Sequence, residues 1–152
     1  VRPAGDLGPI QQGSLYLASF MQAYRQAVKQ TAEVPNSGVL QINRLVGGTI
    51  PNVDDSYAAS TAVHLMAMFR GAVIPDTSIL LGALQADGGI GAVSLFPAKV
   101  LLLLPYSQKL YIPSGQRAAL GPDVLNQIQQ RQVVVEEVDT IEQAYQLMIR
   151  TR

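Results

Sequence analysis

The spacing of apolar positions changes along this chain, and each change marks an element. From Ser14, the residues Leu15, Phe20, Ala23, Tyr24, Ala27 and Val28 recur at the spacing of one helical face. That predicts a helix to about residue 32. Pro35, Asn36, Ser37 and Gly38 end it. In residues 39–46, Leu40, Ile42 and Val46 alternate with Gln41 and Asn43, the pattern of a half-buried strand. Gly47-Gly48 reads as an ordinary turn. A polar loop ends at Ser56, and Ala58, Ala59, Ala62, Val63, Leu65, Met66, Ala67 and Phe69 follow. A segment apolar nearly all round predicts a buried helix, here to about Phe69. Residues 78–84 and 90–95 read as two strands joined by Gln85-Ala86-Asp87-Gly88-Gly89, with Asp-Gly as the hairpin signal. A second apolar helix is predicted around Lys99, with Pro97 in its first turn.

The remainder alternates in the same way. Residues 109–113 predict a strand, Pro122 or Asp123 opens a short helix to about Gln130, and residues 132–138 predict another strand. Asp139 with Glu142 resembles a capping box for a last helix, whose inner face is Ile141, Ala144, Tyr145 and Met148. Strands alternating with helices predict an α+β (mixed α/β) single domain. Residues 1–12 carry Pro and Gly and read as an extended lead-in, with the domain spanning residues 13–152.

Composition narrows the function classes. The 152 residues are enough for one domain with a substantial core. Only 14% are charged and the formal net charge is zero, so there is no basic footprint for nucleic acid. There is no cysteine, which excludes disulfides and thiolate metal sites. No apolar run approaches a membrane span; the run from Val100 to Leu104 is the length of a core segment. The glycine run Gly88-Gly89-Ile90-Gly91 lacks the helix that a nucleotide fingerprint needs, and no Walker A lysine motif occurs.

Two residues stand where reactive side chains are found. Ser56 opens one apolar helix and Lys99 lies in the first turn of the other. A serine hydroxyl needs a neighbouring base to act as a nucleophile. His64, the single histidine, lies about two turns, roughly 12 Å, along the same helix and does not reach Ser56. It reads as a hydrogen-bonded helix residue. A lysine serves as base when an apolar setting favours its neutral form, and Lys99 stands among Leu95, Phe96, Val100 and Leu103. Two bland readings stand beside this: a lysine that snorkels to the surface, and a serine or Asp54 or Asp55 that caps the helix. Unpaired amides and the helix dipole at that end favour negative charge, as an acyl-transfer oxyanion requires.

The stretch from Ser56 to Lys99 resembles, without a gap, the proteolytic domain of the Lon family of Ser–Lys peptidases. Gly71 falls on the glycine that closes the helix after the family's serine, Gly82 on the glycine of its T-G-E strand motif, and Gly88 on its turn glycine. G-S-L-Y-L-A-S-F-M-Q-A-Y from Gly13, V-L-Q-I-N from Val39, L-Y-I-P from Leu110 and V-E-E-V-D-T-I-E-Q-A from Val135 resemble further family segments, so the likeness covers about residues 13–150. The departures are P-N-V-D-D-S-Y-A for P-K-D-G-P-S-A-G, Leu81 and Ala83 for the threonine and glutamate of T-G-E, and Ser94 and Leu95 for paired glycines.

The resemblance implies a serine endopeptidase of Lon-like fold that cleaves polypeptides. Ser56 would be the nucleophile, Lys99 the general base, and the amides near Asp55, Ser56 and Tyr57 the oxyanion donors. It implies no metal or cofactor in this domain; ATP would enter only through an ATPase module outside this chain. It also implies a homo-oligomer, a hexameric ring, and a cytoplasmic setting. The departures favour a contrasting expectation, a Lon-fold binding or assembly domain without hydrolysis.

Overall fold

The computed structural model describes residues 14–31 and 55–149. The expected lead-in at 1–12, the turn at 35–38, the strand at 39–46, the Gly47-Gly48 turn and Asp54 lie outside the described residues. In order, the described elements are α1 (Ser14–Lys29), α2 (Ala58–Arg70), β1 (Ser78–Leu80), β2 (Ala83–Leu84), β3 (Ile90–Gly91), α3 (Phe96–Leu103), β4 (Lys109–Pro113), α4 (Pro122–Arg131), β5 (Val134–Val138) and α5 (Ile141–Ile149). Short 3-10 turns occupy Asp55–Tyr57, Leu104–Tyr106 and Arg117–Ala119.

β1, β4 and β5 form a parallel sheet in the order β1-β4-β5. Parallel neighbours need crossover connections, and α3 and α4 supply helices in them. The alternation of β4 sorts the core into two layers. Tyr111 points to a cluster built from α1, α2 and α5, together with Leu80 and Val138. Leu110 and Ile112 point to a second cluster with Phe96, Val100 and Leu104, with Val124 and Ile128 of α4, and with Val133 and Val135. Helices thus cover both faces of the central strand, which is why β4 reads as a continuous apolar run. The mixed α/β expectation holds.

Several elements differ from their sequence reading. The expected strand at 78–84 is two pieces in two sheets: β1 pairs with β4, while β2 pairs antiparallel with β3. The ladder breaks at Gly82, whose N–H donates to the Ser56 carbonyl (2.9 Å) and whose carbonyl accepts from the Ala59 N–H (3.3 Å). The strand expected at 90–95 stops at Gly91, because the backbone of Val93 bonds instead to the Gln116 side chain, both ways at 3.1 Å. The last helix is capped one residue later than expected: Thr140 Oγ1 accepts the Gln143 N–H, and Gln143 Oε1 accepts the Asp139 N–H. Its inner face is as read, with Ile141, Ala144, Tyr145 and Met148 buried.

Glu142, released from the cap, pairs with Arg70 at the end of α2. Both guanidinium nitrogens reach its carboxylate, at 3.1 and 3.0 Å. Arg70 also donates to the Gln30 carbonyl and lies 4.5 Å over the Tyr145 ring. One side chain therefore ties the ends of α1, α2 and α5 together. The Arg70 hydrogen bonds hold the Glu142 carboxyl below its ordinary range, and the same bonds raise the guanidinium.

Candidate active site

Ser56 sits in the middle of the 3-10 turn that feeds α2, and only 1% of it is exposed. The residue at the α2 N-cap is Tyr57, with helical dihedrals and no side-chain cap bond. The N-cap position that the sequence left open for Ser56 is therefore held by Tyr57. The turn is fastened through its backbone to Gly82. A Cβ at Gly82 would overlap Ile90 Cγ2 at 2.4 Å, while meeting Pro113 and Ala59 only at ordinary contact distance. A glycine here lets residue 82 sit against Ile90 of β3 while its backbone bonds to the entrance of α2. At the far end, Gly71 closes α2 with φ +68°, and the amides of Gly71 and Ala72 reach the Met68 and Ala67 carbonyls. This is the left-handed stop that glycine suits.

Lys99 is the fourth residue of α3 and is half-buried. Its amide donates to the Leu95 carbonyl at 3.2 Å. Leu95 itself is left-handed, with φ +51°, a conformation that costs a residue with a Cβ about 1–2 kcal/mol. The chain leading into Lys99 is fixed at two points, by Gln116 on Val93 and by the turn at Leu95.

The two candidate elements meet at one short segment. Gly82 holds the Ser56 turn, and its neighbour Leu81 is fully buried in the cluster that contains Val93, Phe96 and Val100. Leu81 is anchored in turn by donating its N–H to the Tyr111 carbonyl. Residues 81–82 are thus a common strut between the serine turn and the lysine helix. Asp55 and Tyr57 flank Ser56 in the same turn, with Tyr57 46% exposed. At the head of an α-helix their amides lie where the dipole favours an anion.

His64 lies on the exposed side of α2, and its Nδ1 is 2.8 Å from the Ser60 carbonyl. It is a hydrogen-bonded helix residue, as read. Among the described residues, no group of three or more His, Asp or Glu side chains is arranged to hold a metal, and no helix is long and apolar enough to cross a membrane.

Sequence reasoning missed the polar side chains that position the site. Gln22 donates to the Leu84 carbonyl (3.0 Å) and Gln26 to that of Ala86, which ties α1 to the hairpin. The available signal was a pair of glutamines four apart beside an apolar stripe. Gln116 had no local signal, because its partner Val93 lies 23 positions away, beyond α3 and β4.

No protein-family model matches this chain, and no curated protein matches it.

Proposed function

We propose that this chain is a Ser–Lys hydrolase acting on polypeptides, with Ser56 as nucleophile and Lys99 as general base. The observation that carries the reading is the placement of Ser56: buried in the turn one residue before the N-cap of an apolar helix, and braced by the same strut that braces α3. Leu95 adds support. It stands where the Lon pattern has a glycine, and its backbone adopts the left-handed turn that a glycine would adopt.

In this mechanism the Ser56 oxygen attacks the peptide carbonyl while the neutral Lys99 amine takes its proton. The amides of Asp55, Ser56 and Tyr57 stabilise the oxyanion. Lys99 then returns the proton to the leaving amine, and water resolves the acyl-enzyme by the same route. The domain supplies these groups without a metal or cofactor, and ATP would act through a module outside this chain. A cytoplasmic ring of six copies belongs to the same reading.

A second reading, a binding or assembly domain of the same fold, is favoured by Leu81. It stands where the Lon strand motif has a threonine and is sealed into the apolar core. A fluorophosphonate probe separates the two. Covalent labelling that maps to Ser56 and disappears in Ser56→Ala supports the hydrolase; a folded chain that never labels supports the binding domain.

A further inference from the structure

Gln116 lies in the loop after β4, and its side-chain amide does for Val93 what a neighbouring strand would do. In a sheet, one residue of a partner strand can take both the N–H and the C=O of the residue opposite. Here Gln116 Oε1 accepts the Val93 N–H and Gln116 Nε2 donates to the Val93 carbonyl. Val93 is buried, so both of its backbone groups need a partner, and one side chain supplies both.

The amide is aimed by its own loop. The Gln116 N–H donates to the Pro113 carbonyl (3.2 Å), and the Ser114 N–H donates to the Val138 carbonyl (3.1 Å). On either side of Gln116, the N–H groups of Gly115 and Arg117 donate to one carboxylate oxygen, Oε2 of Glu137 on β5. The Arg117 guanidinium donates to the Val135 carbonyl at 3.0 Å. The loop is thus fastened to β5 through Ser114, Glu137 and Arg117. From Val93 the chain enters the left-handed turn at Leu95, whose carbonyl accepts the Lys99 N–H. No side-chain cap bond holds the head of α3. Phe96 packs there in the core, but apolar burial is non-directional, whereas a paired hydrogen bond fixes distance and angle.

We infer that Gln116 is a positioning residue for the Lys99 base, and that Glu137 holds Gln116 in place. The inference rests on the hydrolase reading and deepens it. A general base works only within hydrogen-bond reach of the proton it takes. The lysine stem is flexible, so the protein controls the amine through the point at which α3 begins. Gln116 fixes that point on the strand side, two residues before the turn at Leu95.

The test uses saturation kinetics of fluorophosphonate labelling on the whole chain. In that step the Ser56 oxygen bonds to phosphorus, fluoride leaves and the hydroxyl proton passes to Lys99. Gln116→Met keeps the stem and removes both bonds. It should lower the maximal labelling rate roughly tenfold to a hundredfold, the scale of a displacement of about 1 Å, and leave the half-saturating concentration unchanged. Gln116→Glu keeps the acceptor for the Val93 N–H and loses the donor; it should show the same pattern and stands in if Gln116→Met does not fold. Glu137→Ala should slow labelling less than Gln116→Met, and Glu137→Gln, which keeps an acceptor oxygen, should restore it. The decisive arm is the Lys99→Met background. There Gln116→Met should cause no further loss, because no base remains to be positioned; a merely structural role, felt at Ser56, would slow the residual labelling again. Circular dichroism confirms that each variant is folded.

A parental maximal rate in the folded Gln116 variants overturns the inference and leaves the hydrolase reading standing. So does a further loss on Lys99→Met, or a change confined to the half-saturating concentration, which would make Gln116 a probe-binding residue. Parental labelling by Lys99→Met overturns it with Ser56 still the nucleophile. Equal slowing by Glu137→Gln and Glu137→Ala removes Glu137 from the chain of support. A parent chain that never labels overturns the hydrolase reading, and this inference with it.

Discussion

α2 and α3 are both strongly apolar helices, and both bear on the candidate site, yet the fold treats them differently. α2 buries eight of its thirteen residues, and α3 only two of its eight. α2 lies against α1, α5 and the sheet, in the cluster that holds Met66, Phe69, Ile141 and Met148. α3 has the sheet on one side and solvent on the other. Apolar composition records what a helix tolerates as surroundings; how many layers cover it depends on the rest of the chain. The helix that follows the serine is thus covered along most of its surface, with His64 and Met68 on its open side. The helix that carries the lysine is locked on one side and exposed along the other.

The largest effect that bears on this contrast is chemical. Ser56→Ala should abolish covalent labelling, and Lys99→Met should reduce it by at least about a thousandfold, the scale seen when a member of a catalytic unit is removed. Lys99→Arg should fail equally, since a guanidinium stays protonated. All three should keep the folded circular dichroism spectrum. If Lys99→Met labels at the parental rate, the exposed helix carries no base and the locked helix acts without it.

Core truncation should expose the same asymmetry in stability. Met66→Ala, inside α2, should cost about 2–5 kcal/mol, whereas Leu102→Ala on the open side of α3 should stay within about 0.5 kcal/mol for the dilute chain. Urea denaturation at low protein concentration measures both. Comparable losses would mean that α3 is covered within one copy.

The strut between the two helices comes next. Gly82→Ala pushes a methyl group into Ile90 and should cost about 1–3 kcal/mol, as overpacking does. Because Gly82 holds the Ser56 turn, labelling of the folded variant should slow as well. Leu95→Gly should act in the opposite sense on stability: it relieves the left-handed strain and should raise the unfolding free energy measured in urea by no more than about 1 kcal/mol.

The smallest effect is electrostatic and confined to the locked side. The Arg70 hydrogen bonds lower the Glu142 carboxyl. A carboxyl lowered by folding contributes stability above its unfolded value, about 4.3, and that contribution fades as pH falls through the folded value. Arg70→Gln should therefore narrow its stability gap to the parent between about pH 5 and pH 2. Both partners are partly exposed, so the gap at neutral pH should be about 1 kcal/mol or less. A gap independent of pH would assign Arg70 to packing on Tyr145 instead.

The buried face of α2, the strand at Lys109–Pro113 and the inner face of α5 were legible in the sequence, and the structure bears them out; Gly71, picked out through the family resemblance, closes α2. Each is written in a window of about a dozen residues, where period, cap and turn chemistry act on the local backbone. The candidate residues Ser56 and Lys99 were legible as residue types at element starts. Their shared support was not, because Gly82 meets Ser56 across 26 positions and Leu81 meets the α3 cluster across another loop. For the same reason one apparent strand at 78–84 became two, since the partners that split it come from the entrance of α2. Glu142 offered a cap locally, and tertiary structure gave it to Arg70. The exposure of α3 was likewise decided at that level, because burial depends on which neighbours the topology brings to a helix and its own residues name only one side of that contact.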